Sequence, residues 1–152
     1  MKRKTLFNQD WLFAAEELPA DTPDERFIKI TLPHTNQTFP HNNVDHLAYE
    51  FISTYRKRFE YNHTDPEKIV FLDFDGVMLA CKVYLNENIL CEHLGGFTPF
   101  SVNITSVLQP GENLLTVYVD SRERKDIPPF GHRVDYLTFG GIYRDVFLRT
   151  VH

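Results

Sequence analysis

Two aspartates one residue apart, Asp73 and Asp75, close the apolar run Ile69-Val70-Phe71-Leu72 and are followed by Gly76-Val77. Paired carboxylates are candidates for nucleophilic and acid/base work. Residues 77–90 continue as a strand through Lys82-Val83-Tyr84-Leu85-Asn86, so Asp75-Gly76 reads as a tight hairpin turn, and magnesium binding by these carboxylates is not expected. The seven histidines (His34, His41, His46, His63, His93, His132, His152) show no paired spacing; His34, His41 and His46 would hold zinc only if their loop folded back on itself. There is no serine elbow, no phosphate-cradling glycine loop and no Cys–His arrangement. The expectation is therefore no metal, no cofactor and no self-sufficient active site.

The elements that must position these residues are strands. Residues 69–120 hold three runs rich in Val, Ile, Leu, Phe and Tyr, separated by Gly, Pro, Asn and Asp clusters with no helical period. An all-β sandwich or jelly roll with little helix is expected. Residues 6–14, around the only tryptophan, Trp11, form a first strand or an edge clip, and the acidic residues 16–25 form a loop. Residues 26–32 alternate as a strand that Pro33 stops, and 34–46 make a long polar connection. One short helix is expected over 45–53. A strand follows over 54–61, where Arg56, Lys57 and Arg58 mark a solvent-facing or partner-facing side. Residues 109–113 (Gln-Pro-Gly-Glu-Asn) are the clearest turn, 121–134 a second long loop, and 140–149 the last strand.

Composition limits the function classes. A chain of 152 residues is one domain, 1–152, large enough for a full core. Thirteen Phe and seven Tyr against two Met favour pleated sheet surfaces. A net charge of -5 with mixed signs leaves no basic footprint for nucleic acid or an anionic membrane. Cys81 and Cys91 are too few for a disulfide framework and read as buried thiols. The residues after the basic start are too polar for a signal sequence, and no apolar stretch is long enough to cross a bilayer, so a cytoplasmic location is expected. Sequons begin at Asn36, Asn62 and Asn103 and are expected to be coincidental.

Two resemblances follow. Phe71-Leu72-Asp73-Phe74-Asp75-Gly76-Val77 resembles the nucleophile motif of haloacid-dehalogenase-type phosphatases. A set of blocks in order covers nearly the whole chain: Leu32-Pro33-His34, Tyr55-Arg56-Lys57-Arg58-Phe59, Leu72 to Val77, Val83-Tyr84-Leu85-Asn86, His93-Leu94-Gly95-Gly96-Phe97-Thr98-Pro99-Phe100, Pro110-Gly111-Glu112-Asn113 and Gly141-Ile142-Tyr143-Arg144-Asp145-Val146. In this it is similar to the N-terminal sugar-binding domain of family 2 glycoside hydrolases, the β-galactosidase, β-glucuronidase and β-mannosidase group.

That resemblance implies a galactose-binding-like jelly roll followed in a parent chain by an immunoglobulin-like domain and a TIM barrel with two catalytic glutamates. A barrel alone takes about 250 residues, so the resemblance puts catalysis outside this chain. It also implies that a loop presents an aspartate to sugar hydroxyls, and the matching position is Asp135. Tyr136 is then a candidate stacking platform and His132 a candidate hydroxyl partner. Arg144 and Asp145 are implied as a structural ion pair or domain-docking contact; His34 and Asn36 either face the barrel or stabilise a turn. Leu137, Thr138, Phe139 and Gly140 replace a Trp and Ser common in the family, which leaves substrate preference open. Partners are a β-galactoside-like carbohydrate and the other parent domains, with a homo-oligomer allowed. The alternatives are an autonomous carbohydrate-binding module or lectin and, remotely, a phosphatase.

Overall fold

The computed structural model describes residues 2–38, 42, 45–62, 65–128 and 139–152. Among these, ten strands run in chain order: β1 Lys2–Leu6, β2 Trp11–Ala14, β3 Ile28–Ile30, β4 Ile52–Tyr61, β5 Ile69–Phe74, β6 Ala80–Leu85, β7 Asn88–Leu94, β8 Phe100–Asn103, β9 Gly111–Asp120 and β10 Val146–Val151. They build a four-stranded sheet, β1-β10-β5-β8, and a six-stranded sheet, β3-β2-β4-β9-β6-β7, with every pairing antiparallel. The expected all-β sandwich is what forms, and the only helical turns described are 3-10 segments at Asp24–Arg26 and His46–Tyr49.

The core lies between the sheets and follows the two-residue period of a strand. Leu115, Val117 and Val119, with Cys81, Val83 and Leu85, face inward from the larger sheet; Val70, Leu72 and Phe74 face them from the smaller. Each such side chain contributes about 1.5–3 kcal/mol on full burial. Trp11 is fully buried and donates its indole N–H to the Phe7 carbonyl at 2.7 Å, which satisfies the one polar atom it carries inward. Cys81 is buried and Cys91 half-buried, as free thiols.

Four local expectations are corrected. Asp75-Gly76 is not a hairpin turn: β5 and β6 lie in different sheets, and residues 75–79 carry the chain across the end of the sandwich. The two-residue turn is Asn86-Glu87, between β6 and β7, both at positive φ (49° and 66°), so residues 77–90 are a crossing, a strand, a turn and the start of another strand. No helix spans 45–53; His46–Tyr49 is a single 3-10 turn, capped by the Asp45 carboxylate on the Leu47 N–H at 2.9 Å, and β4 begins at Ile52. The last strand starts at Val146 rather than Gly140, because residues 140–145 are used as loop.

The cations of β4 are the fourth correction. Arg56 is fully buried and Lys57 nearly so, and only Arg58 faces solvent. Arg56 donates to the carbonyls of Thr22, Pro19 and Ala20 and to Asp24, with its guanidinium 4.3 Å over the Phe27 ring. It therefore ties the 16–27 loop to the outer face of the larger sheet. Lys57 points the other way, donates to the Gln9 carbonyl and sits 4.5 Å over Phe7; burial holds its pKa below the usual lysine value.

Candidate functional site

Alternate crossings between the sheets gather residues 32–38, 45–51, 75–79, 95–99, 121–128 and 139–145 at one end of the sandwich. Those described form a hydrogen-bonded platform. Gly141 and Met78 exchange both backbone bonds, N–H to O, at 3.1 and 2.9 Å. The Met78 carbonyl also accepts from Ser121 Oγ at 2.9 Å, and the Ser121 N–H donates to Phe51 O at 3.1 Å. His34 N–H donates to Ile142 O and Asn36 N–H to Gly140 O, both at 2.9 Å, so 34–36 runs alongside 140–142 like a short ladder.

Side chains lock the same residues. The Tyr55 hydroxyl and His34 Nδ1 are 2.8 Å apart. The Ile142 N–H also addresses the Tyr55 oxygen, so the phenol is held by both the 140–142 backbone and the His34 ring. Burial lowers the His34 pKa, which agrees with a neutral ring, and raises that of Tyr55. Asn36 is buried, donates Nδ2 to Tyr49 O at 3.0 Å, and keeps an Oδ1 with no hydrogen-bond partner among the described residues. Gly141 has φ +102°, and a Cβ there would run into the Tyr55 hydroxyl; at Gly140 it would run into Asn36 Nδ2. Only glycine fits this close approach. The buried Asn36 leaves no room for a glycan at that sequon.

Asp135, Tyr136 and His132, the residues matched to sugar contacts, lie outside the described residues, as do Leu137 and Thr138. What the structure describes is the two ends from which the 129–138 segment springs. On one side Ile127 is buried against Met78, Leu79 and Ala80, with Tyr143 packed beside them. On the other, Gly140-Gly141-Ile142 is pinned as above. Tyr143 donates to the Gly96 carbonyl at 2.5 Å, which fastens the 95–99 loop to the same platform.

Arg144 and Asp145 do not face each other. The Arg144 guanidinium is exposed, 5.1 Å over the Tyr143 ring, while Asp145 accepts from Asn8 Nδ2 at 2.7 Å. Asn8 Oδ1 in turn accepts from the Val146 N–H at 2.9 Å, so Asp145 and Asn8 join the start of β10 to the β1–β2 link. Asp73 lies within β5, one residue from its end, and both its oxygens are used: Arg149 donates at 2.7 and 2.9 Å and Ser101 at 2.7 Å. The Arg149 guanidinium holds its pKa below the usual carboxylate value. No helix follows Asp75, so the phosphatase arrangement does not form.

Of the proposed zinc trio, His41 and the side chain of His46 lie outside the described residues, and His34 Nδ1 is engaged with Tyr55. Asp65, Glu67 and His152 bring ligand atoms within 4.8 Å of one another at the surface, where a direct side-chain contact, His152 Nε2 to Asp65 Oδ2 at 3.1 Å, accounts for the grouping. Sequence reasoning passed over Met78, Ser121 and Tyr55 as platform residues. Tyr55 was legible only as core, and no local pattern marks a carbonyl such as that of Met78 as a junction.

Comparison with known proteins agrees with this architecture. Residues 30–150 match the model of the glycosyl hydrolase 2 galactose-binding domain-like family. A β-galactosidase of Thermoanaerobacter pseudethanolicus is 46% identical over 96% of this chain and 20% of its own length. One from Thermoanaerobacterium thermosulfurigenes is 42% identical over 97% and 21%. The crystal structure of a Bacteroides uniformis β-glucuronidase superposes with a TM-score of 0.84 at 32% identity, covering 99% of this chain and 18% of that one. The chain thus spans about a fifth of the length of these relatives. With its sandwich topology and the match across most of its length, the chain belongs to the galactose-binding-like domain family of glycosyl hydrolase 2.

Proposed function

We propose that this chain is a non-catalytic N-terminal module of a family 2 β-glycosidase, most simply a β-galactosidase, and that it completes the sugar pocket of a catalytic barrel with the segment carrying Asp135. The supporting observation is the platform: the Gly140-Gly141-Ile142 backbone is fixed from three sides, by Met78, by His34 and Asn36, and by Tyr55. A loop that must hold one carboxylate against a substrate from a neighbouring domain needs anchored ends. The β-galactosidases similar to this chain support the substrate class, and their greater length supports a catalytic domain elsewhere in the parent.

An ionised Asp135 accepts hydrogen bonds from two sugar hydroxyls, each charge-assisted bond worth about 1.5–3 kcal/mol. Asp135→Ala in the full-length enzyme should therefore lower kcat/KM on p-nitrophenyl β-D-galactoside by roughly two to three orders of magnitude. The circular dichroism spectrum should be unchanged. Equal kinetics for variant and wild type would remove Asp135 from the pocket.

A further inference from the structure

A second surface, independent of the Asp135 segment, has the makings of a ligand site. On the outer face of the six-stranded sheet a half-open groove of about 560 Å³ lies between the sheet and the 16–24 loop. Its floor is Tyr84 on β6 and Tyr118 on β9, edge to face with ring centroids 5.6 Å apart and planes at 82°. Pro19 and Ala20 form one wall, and Glu17, Glu87 and Lys82 supply charged groups along the sides.

The wall is built rather than incidental. Leu18 N–H donates to Thr54 Oγ1 at 2.9 Å, Thr54 Oγ1 donates to Glu16 O at 2.7 Å, and the Tyr118 hydroxyl donates to Leu18 O at 2.7 Å. The buried Arg56 adds its bonds to the Pro19, Ala20 and Thr22 carbonyls. A groove whose wall is held this firmly loses little entropy when occupied.

We propose that this groove binds a short neutral saccharide. Two carboxylates against one ammonium disfavour phosphate and other anions. Phenol faces flanked by both donors and acceptors match a pyranose, whose C–H face packs on a ring while its hydroxyls bridge to carboxylate and ammonium. The volume holds roughly two or three pyranose rings. The phenol hydroxyl of Tyr118 is spent on the wall, so Tyr84 is the face that can be removed without opening the groove.

The test is an amide-shift titration of the 152-residue chain with lactose, cellotetraose and xylotetraose. Saturable shifts confined to residues 17–20, 82–87 and 116–118 are expected with at least one sugar, at a dissociation constant on the order of 1 mM. Tyr84→Ala should weaken that binding about tenfold or more with an unchanged circular dichroism spectrum, and Tyr84→Phe should retain it. No saturable shift with any of the three, the outcome expected if a neighbouring domain occupies this face, overturns the proposal. So does full affinity in Tyr84→Ala, or binding whose shifts lie only outside the groove. Because Asp135 lies in another segment, either reading can fail without the other.

Discussion

Replacing Gly141 by alanine tests how tightly the platform is built. The residue sits at φ +102°, a backbone conformation that costs an L-residue about 1–3 kcal/mol. Its new Cβ would collide with the Tyr55 hydroxyl and lie 3.1 Å from both Asn36 N and His34 O. Tyr55 is fully buried, so the phenol has no free space to retreat into and must give up its bond to His34. A stranded buried polar pair adds about 1–3 kcal/mol, and the reduced freedom of the unfolded chain returns about 0.4–1 kcal/mol. The net loss is about 3–4 kcal/mol, a fall in melting temperature of roughly 10 °C for a domain of this size. Thermal and guanidinium unfolding followed by circular dichroism would measure it. Tyr55→Phe removes the colliding oxygen, so Gly141→Ala should cost less in that background than in wild type. A loss under about 1 kcal/mol, or strict additivity of the two changes, would refute the packing described here.

Other expectations concern the frame around that platform. Asn113 is fully buried; its side chain accepts from Gln109 N–H and Asn86 Nδ2 and donates to Gln109 O and Gly111 O, so Asn113→Ala should cost about 2–4 kcal/mol in guanidinium unfolding. Arg56→Ala removes the clamp on residues 16–27 and leaves Asp24 with Arg58 alone; stability should drop by about 3–5 kcal/mol, and limited trypsin digestion should reach Arg26 in the variant first. Two groups illustrate the acid response. His34 is harder to protonate folded than unfolded, so its contribution is complete above its ordinary value of 6.5 and declines as pH falls from there toward the lower folded value. Asp73 has a folded pKa below its ordinary 3.8, so the Arg149 pairing contributes fully above that value and is lost as pH falls through the folded one. Unfolding midpoints measured from pH 8 to pH 2 should fall in two steps; His34→Gln should shrink the upper, and Asp73→Asn should shrink the lower, which it shares with Asp24 and Asp120.

The all-β class and many of the strand runs were legible, since the period-2 alternation of Leu115, Val117 and Val119 or of Val70, Leu72 and Phe74 is set by burial on one face. What misled was local turn chemistry. Asp75-Gly76 has hairpin composition, yet its strands find partners in different sheets, which nothing within a few residues encodes. The actual hairpin uses Glu87 at positive φ, a residue type that gives no turn signal. Arg56 looked like a surface cation because its partners are carbonyls some 35 positions earlier. Asp135, Tyr136 and His132 are candidates through resemblance alone and lie outside the described residues; for the platform, a glycine pair signals close approach, but that Tyr55, His34 and Asn36 are what approach it depends on three loops meeting at one end of the sandwich.

The claim that the Asp135 segment touches sugar is tested most directly by a cycle of enzyme and substrate changes. The kcat/KM of the full-length enzyme and of its Asp135→Asn variant would be measured on p-nitrophenyl β-D-galactoside and on its monodeoxy analogues. Deleting the hydroxyl that Asp135 binds should cost the wild type about 10²-fold or more and the variant almost nothing, since the bond is already gone. Losses that multiply independently at every hydroxyl would contradict the account, and would leave the platform holding a loop that never meets the substrate.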